Sequence, residues 1–229
     1  MEEGSRVVEP PVSPRPQRGR FAVSRFGLLD IGTTMVLAHH LIWVAYGWWL
    51  PNDLRGSMSK EIRNDVIGEL GELHYGRKKV QPASKDIRAF YEQAKQVLKF
   101  PLLTFAPKEV EAIARAFADV IRIEHYTCYA CAIMIDHVHL IIRKHKHLAE
   151  EMVENFQYAS RLAVLDVGLR DSDHPVWGGP GWKVFVDGTD DIWRTIPYVE
   201  QNPIKSKQAR QQYEFVTKYD NWPFKGQRR

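Results

Sequence analysis

Two histidines separated by one residue, His137 and His139, lie in a nearly continuous apolar run from Ile133 to Ile142. Side chains alternate across a β-strand, so residues two apart point to one face and the residue between them points to the other. The two imidazoles should therefore lie side by side, with Val138 in the core. Buried polar groups are costly without partners, and paired imidazoles suit ligation of one divalent metal ion. The alternative is a polar pair on a solvated face.

Tyr198 is followed four residues later by Asn202, and positions four apart share one face of a helix. A phenol and a carboxamide would therefore project together. Taken alone, the pair also fits a core tyrosine and a helix that ends before Pro203. Pro197 removes a backbone hydrogen bond directly before the tyrosine, which predicts a kink or the start of a new helical turn.

The elements that must position these side chains alternate between strand and helix periodicity. Strands are predicted at Met35–Val44, Tyr126–Met134, His137–Arg143, Val176–Trp177 and Trp182–Val186, and helices at Lys85–Leu98, from Pro107 onward, at Leu148–Leu165 before Gly168, and after Thr189 as N-cap. This order predicts an α+β fold, a ferredoxin-like or RRM-like sandwich with an antiparallel central sheet and helices on its faces.

The 229 residues suffice for one globular domain with additions. Residues 1–30 are rich in proline and arginine and predict a disordered basic arm, which we interpret as a passive tail, the alternative being an arm that touches phosphates. Residues 31–210 are predicted to form the catalytic domain, with an insertion at about 46–104. Residues 211–229 are interpreted as a C-terminal extension.

The net charge of +4 makes an acidic polymer a reasonable partner. No apolar run reaches the length of about 20 residues that spans a membrane, and the N-terminus does not resemble a secretory signal, so we expect a cytoplasmic protein. Cys128 and Cys131 are too few for a disulfide framework. Because they are three apart on a predicted strand, they should face opposite sides, as core thiols.

Three motifs together resemble those of single-tyrosine HUH transposases, most closely the REP-associated group. Met134-Ile-Asp-His-Val-His139 is similar to the family's M-P-D-H-V-H strand, His174-Pro-Val-Trp177 to its H-P-x-W, and Tyr198-Val-Glu-Gln-Asn-Pro203 to its Y-I-x-x-N-P segment. The resemblance covers roughly Leu37 to Lys207. Residues 46–56 also resemble a loop of one transposase-like subgroup, and no chemistry is assigned to this loop.

The resemblance implies a metal-dependent endonuclease of single-stranded DNA. His137 and His139 would hold a divalent ion, Mg²⁺ or Mn²⁺, and Asn202 would be its third ligand. The ion would polarise the scissile phosphate. Tyr198 would be the nucleophile and would leave a 5′-phosphotyrosine and a free 3′-hydroxyl, a step that a later 3′-hydroxyl can reverse.

The expected partner is single-stranded or hairpin DNA, without a membrane, bound by a monomer or homodimer. The basic residues Arg143, Lys144 and Lys146 follow the histidine strand, and Lys205 follows the tyrosine motif. These four are predicted to contact phosphates. Unpaired bases could stack on tryptophans, for which the candidates are Trp48, Trp49, Trp177 and Trp182.

Two other functions remain open at this point. One is a domesticated relative that binds structured DNA without cleaving it, which is motivated by Pro197. The other is a metal-dependent phosphodiesterase that uses water as its nucleophile, which is motivated by the histidine pair alone.

Overall fold

A computed structural model describes residues 35–76 and 78–224, so the predicted arm at residues 1–30 lies outside the described part. The elements within it are β1 (Ala38–Val44), α1 (Asp65–Gly68), α2 (Ser84–Val97), α3 (Pro107–Glu124), β2 (Cys128–Ile133), β3 (His137–Arg143), α4 (Ala149–Asp166), β4 (Trp182–Val186), α5 (Thr189–Glu200) and α6 (Asn202–Lys205). The predicted helices and strands are present, although Val176–Trp177 is reduced to a single bridge between Trp177 and Ala45.

The described strands form one antiparallel sheet in the order β2-β3-β1-β4. Together with the helices that connect them, they follow the βαββαβ order of ferredoxin-like folds. The predicted α+β fold with an antiparallel central sheet is therefore confirmed. Its topology places β1 and β3, which are distant in sequence, next to each other at the centre.

The two faces of the sheet are covered by different helices. Helices α3 and α4 pack on one face, and α5 packs on the other, over β2 and β3. Strand β3 alternates as predicted: Val138, Leu140 and Ile142 belong to the core beneath α3 and α4, and Ile141 belongs to the core beneath α5. His137 and His139 therefore share the α5 face.

Helix α3 begins at Pro107, which suits a first-turn position because its missing N–H would have no helical partner. Glu109 accepts a hydrogen bond from the backbone N–H of Ala106 (2.7 Å) and forms an ion pair with Arg170 (2.9 Å). Burial opposes ionisation of Glu109, but the bonds from Arg170 and Ala106 outweigh it and lower the carboxyl pKa. Helix α4 ends before Gly168, whose φ of 75° is the left-handed conformation predicted for its terminator.

Two local predictions were wrong. Cys128 and Cys131 lie on the same side of β2, in the core beneath α3 and α4, because a β-bulge between Cys128 and Ala130 shifts the alternation by one residue. Both are free, buried thiols, as predicted. Helix α5 has Gly188 as its N-cap, so Thr189 is already its first residue.

Residues 211–224 run along the outer edge of β2. The side chain of Gln211 accepts from the backbone N–H of Ile133 (2.8 Å) and donates to the Ile133 carbonyl (2.7 Å), and the N–H of Thr217 donates to the carbonyl of Cys128 (2.7 Å). These bonds satisfy backbone groups that an edge strand would otherwise expose. The predicted division of the chain at residue 210 stays a prediction. Of the helices described, none is both long and apolar enough to cross a membrane.

Candidate active site

The histidine pair lies at the start of β3, which is one of the two inner strands of the sheet. The ring centroids of His137 and His139 are 5.0 Å apart, and Val138 between them is fully buried on the opposite face. His139 is only 5% exposed, whereas the side chain of His137 is 19% exposed. The pair therefore combines one buried imidazole with one that solvent or a ligand can reach.

Asp136 orients the first histidine. Its Oδ1 lies 2.6 Å from Nδ1 of His137. A carboxylate can only accept, so Nδ1 carries the proton and Nε2 of the neutral ring keeps a free lone pair. A carboxylate bound to the far nitrogen is the usual companion of a metal-ligating histidine. The contact with Asp136 therefore fixes the orientation of the His137 ring.

The second histidine has a partner that the sequence analysis missed. Nε2 of His40, on β1, lies 3.0 Å from Nδ1 of His139. The β1–β3 register pairs His40 with Ile141 and Ile42 with His139, so the two histidines are diagonal neighbours on one face. If His139 donates from Nδ1, its Nε2 is free for a metal, as in His137.

Burial makes both members of this pair poor bases. It lowers the pKa of His40 to about 4. It also lowers the pKa of His139 well below its usual value, with further contributions from His137 and His40. At neutral pH both rings are uncharged. Neutral imidazole is the form that ligates metals.

The tyrosine of the last motif faces the same histidines. The ring centroid of Tyr198 lies 5.9 Å from that of His139 and 6.1 Å from that of His40, edge-to-face in both cases. Helix α5 continues through Pro197, and the backbone N–H of Gln201 donates to the Pro197 carbonyl (3.0 Å). Tyr198 is 46% exposed, so its ring is not buried in the core and remains open to a ligand.

The residues present fit a divalent cation only in part. Two imidazole nitrogens are available, yet in the described part of the chain no three His, Cys, Asp or Glu side chains are arranged to hold a metal ion. A third donor to a cation at this pair would therefore come from another class of group, such as an amide, a phosphate or water. Asn202, at the start of α6, has a buried Nδ2 without a hydrogen-bond partner. Rotation of this amide by half a turn would place the side-chain oxygen, which is the atom that can ligate a metal, where Nδ2 now lies. Among the described residues, the side chain of Asn202 has no hydrogen bond to His137 or His139.

The predicted phosphate-binding residues fall into two places. Nζ of the exposed Lys205 lies 5.4 Å from the Tyr198 ring centroid, at the site. Arg143 ends β3 and packs over Trp222 (4.8 Å), followed by the exposed Lys144 and Lys146. A strand rises about 3.4 Å per residue, so Arg143 is about 14 Å from His139 along β3. The structure therefore brings only Lys205 next to the histidines and the tyrosine.

Of the candidate tryptophans, two lie near the site. Trp49 packs edge-to-face on His137, with ring centroids 5.4 Å apart. Trp182 on β4 pairs with Ile42, which in turn pairs with His139, so these three share one row on the α5 face. Trp182 is 39% exposed.

The other two tryptophans have structural hydrogen bonds. The indole of Trp48 donates to the carbonyl of Leu103 (2.7 Å), and that of Trp177 donates to the carbonyl of Gln157 (3.1 Å). His174, from the motif of Trp177, is buried and has backbone carbonyls at both ring nitrogens, those of Pro175 (2.7 Å) and Pro101 (3.1 Å). This motif therefore holds the loop before β4.

Comparison with known proteins places two solved structures beside this chain. One is a REP-associated tyrosine transposase bound to a REP hairpin, with 12% sequence identity and a TM-score of 0.41 over 82% of this chain and 75% of that chain. The other is a Deinococcus radiodurans R1 protein described provisionally as a transposase, with 14% identity and a TM-score of 0.35 over 78% of this chain and 95% of that chain. No protein-family model and no curated protein matches the sequence. The first of these structures bears the name of the group that the three sequence motifs resemble.

Proposed function

We propose that this protein nicks and rejoins single-stranded DNA at hairpin or palindromic sites, with Tyr198 as the nucleophile. One observation carries the proposal: Tyr198, from the last motif, lies against His139 and His40 on the sheet face that holds the histidine pair. Residues about 60 positions apart in sequence thus meet at one place, and each belongs to a motif that resembles the same family.

The step is an exchange of phosphodiesters. The Tyr198 oxygen attacks phosphorus and loses its proton to solvent. The bond from phosphorus to the 3′ oxygen breaks, and that oxygen leaves as a hydroxyl after taking up a proton from solvent. A divalent ion, Mg²⁺ or Mn²⁺, bound through Nε2 of His137 and His139 would neutralise charge on the phosphate. Asn202 is the proposed third ligand, and the DNA phosphate would supply a further oxygen.

The chain's own residues contribute binding and orientation. Asp136 and His40 keep the two ligating rings in position through their far nitrogens. Lys205 places a positive charge at the tyrosine, where a phosphate would enter. Trp182, exposed and in one row with His139, is suited to stack an unpaired base.

The direct test incubates the full chain with labelled hairpin oligonucleotides and Mg²⁺ or Mn²⁺, and looks for a covalent protein–DNA adduct on a denaturing gel. The adduct should be lost in Tyr198→Phe and in the presence of a chelator, and it should persist in Tyr158→Phe, a control at an exposed tyrosine of α4. An adduct in Tyr198→Phe would show that another residue is the nucleophile.

The same experiment separates the two alternative functions. Hairpin cleavage that continues unchanged in Tyr198→Phe without an adduct would indicate a phosphodiesterase that uses water. Tight hairpin binding with no cleavage in either metal would indicate a binding module. The course of α5 through Pro197 favours neither of these, because the tyrosine ring still faces the histidines.

A further inference from the structure

The loop at residues 46–56, to which the sequence assigned no chemistry, ends in a buried ionic cluster. Asp53 is fully buried, and Oδ1 accepts from the backbone N–H (2.9 Å) and Nε (3.0 Å) of Arg55. Oδ2 accepts from a terminal nitrogen of Arg55 (2.6 Å) and from the hydroxyl of Tyr91 on α2. Each carboxylate oxygen therefore has two donors.

The cluster holds Trp49 at its backbone and at its ring. The hydroxyl of Tyr91 accepts from the backbone N–H of Trp49 (3.0 Å) and from Arg55 (2.7 Å). The Arg55 guanidinium lies 4.0 Å from the Trp49 ring centroid, in cation–π contact. Trp49 itself has a φ of 48°, the left-handed conformation that is costly for a large side chain and persists only where surrounding contacts enforce it.

A buried ionic cluster of this kind contributes little to the free energy of unfolding by its charges alone. Removing a buried ion pair in favour of apolar residues is often neutral or stabilising, because desolvation offsets the attraction between the charges. Burial and the charge of Asp53 both raise the pKa of Tyr91, so its hydroxyl keeps its proton and remains a donor. What the cluster determines is a conformation, that of the strained residue Trp49.

This conformation places the Trp49 ring at the site. The ring meets that of His137 edge-to-face, with centroids 5.4 Å apart and an interplanar angle of 71°. His137 is the more exposed of the two histidines, and among the described residues its ring has one hydrogen bond, to Asp136. A single bond leaves the ring free to swing about it or to turn over. A second, nonpolar wall removes that freedom.

We infer that Trp49 is a positioning residue for His137, and that Asp53, Arg55 and Tyr91 form the support that keeps it there. Helix α2, in the insertion, thus reaches the site through Tyr91. The inference rests on the proposed function for its purpose, because a fixed His137 matters as a metal ligand. His137 therefore keeps one tautomer and one orientation only while Trp49 is in place.

The test observes His137 in the metal-free full chain. Long-range ¹H–¹⁵N correlation at mildly alkaline pH, where imidazoles are neutral, reports which ring nitrogen carries the proton, with His137→Ala providing the assignment. The unchanged chain should show a single Nδ1–H tautomer. In Trp49→Ala and Tyr91→Phe the two nitrogen shifts should move toward averaged values, whereas Trp49→Phe, which keeps an aromatic edge, should restore the tautomer. Tyr158→Phe is the matched control for loss of one tyrosine hydroxyl.

Circular dichroism and cooperative thermal unfolding establish that each variant is folded, and Tyr91→Phe keeps its ring in place so that folding is preserved. Co²⁺ affinity, followed by visible absorption, should fall about 10-fold in Trp49→Ala and Tyr91→Phe, as for other residues that support metal ligands. A His137 tautomer that is unchanged in folded Trp49→Ala would overturn the inference, and so would a change of equal size in Tyr158→Phe. Absence of a DNA adduct in the unchanged chain, with these His137 shifts as expected, would defeat the proposed function and leave the inference standing.

Discussion

One His-x-His pair lies at the start of β3 and another lies just after its end, and the ring geometry of the two pairs is nearly identical. The rings of His137 and His139 have centroids 5.0 Å apart and an interplanar angle of 82°. Those of His145 and His147 have centroids 4.8 Å apart and an interplanar angle of 81°. Each pair also has a tyrosine against it, Tyr198 in the first case and Tyr126 in the second. Spacing and ring geometry therefore do not distinguish a metal site.

The hydrogen bonds at the far nitrogens do distinguish them. Nδ1 of His137 faces a carboxylate acceptor, so its Nε2 is free to ligate. Nδ1 of His145 accepts from the backbone N–H of His147 (3.2 Å), so the neutral ring carries its proton on Nε2 and cannot ligate there. Lys144 and Lys146 flank His145 with two positive charges, which disfavour a cation, although the carboxylate of Glu124 lies 3.8 Å from Nδ1 of His147. The hydrogen-bond partners of His137 and His145 therefore decide which ring nitrogen carries the proton.

The largest expected difference between the pairs is in metal-dependent cleavage. His137→Ala and His139→Ala should each lower the rate of adduct formation by at least about 100-fold, since a metal ion contributes several kcal/mol to the charge stabilisation of the transition state. His145→Ala should remain within about 2-fold of the unchanged chain. Single-turnover rates with a hairpin oligonucleotide measure both. Equal losses at the two pairs would contradict the distinction.

The next difference concerns the groups behind the rings. Asp136→Asn should weaken Co²⁺ or Mn²⁺ binding by roughly 10-fold to 100-fold, because the replacement amide can present a donor to Nδ1 and so favour the wrong tautomer. His40→Phe should have a similar effect through His139, and His40→Gln should recover part of the affinity, because its amide oxygen can accept from Nδ1. Tyr126→Phe, behind the second pair, should leave metal affinity unchanged. Isothermal titration calorimetry gives these affinities.

Burial of the first pair should also appear in the pH dependence of stability. The folded-state pKa of His40 is lowered to about 4, below the unfolded value near 6.5. Protonation of His40 therefore favours the unfolded chain. The contribution of the neutral ring to the free energy of unfolding is complete above pH 6.5 and is lost as the pH falls toward 4, and the total loss is about 3 kcal/mol. Urea unfolding of the metal-free chain at pH 7 and pH 5 measures it. The decrease in the free energy of unfolding between pH 7 and pH 5 should be smaller in His40→Gln. It should be unchanged in the control His74→Gln, at a partly exposed histidine of the insertion. A decrease in His40→Gln equal to that of the unchanged chain would contradict the assignment.

The smallest expected differences are in DNA binding. Lys205→Ala should reduce both hairpin affinity and the cleavage rate by a few-fold, since Lys205 lies at Tyr198. A double Lys144→Ala, Lys146→Ala variant should lower only the affinity and its salt dependence, because each lost phosphate contact reduces the salt slope by about 1. Affinities measured over a series of salt concentrations separate these effects. A change in cleavage rate at saturating DNA in the double variant would place the basic loop nearer the site than the structure does.

Sequence periodicity predicted the main helices and strands and the placement of His137 and His139 on one face of β3. Alternation along His137-Val138-His139 predicted two rings on one face, and the structure has Val138 in the core. The α+β order predicted an antiparallel sheet, which is confirmed. These properties depend on neighbours within one strand or helix, which a sequence displays directly.

The parts that escaped prediction depend on contacts between distant segments. His39 and His40 are adjacent in sequence, and only the register of β1 against β3 decides that His40 meets His139 while His39 packs against Phe185 on the other face. The bulge at Cys128 has no sequence signal, since no glycine or proline marks it. Trp49, which contacts His137 directly, is held by a cluster whose members lie up to 38 residues apart. Register, bulges and buried ion pairs are set by tertiary packing.

The segment along β2 has a consequence for how the chain folds during synthesis. β2 emerges from the ribosome about 80 residues before Gln211 and Thr217, the residues whose hydrogen bonds close its outer edge. Until then the outer edge of β2 in the nascent chain lacks these hydrogen bonds, and an open strand edge can pair with other chains. A ribosome that stalls in this interval, or a protease that removes the segment, should therefore yield aggregates of an otherwise nearly complete sheet. Pulse-labelling of chains truncated before residue 211 and after residue 224 would time the transition to a soluble product.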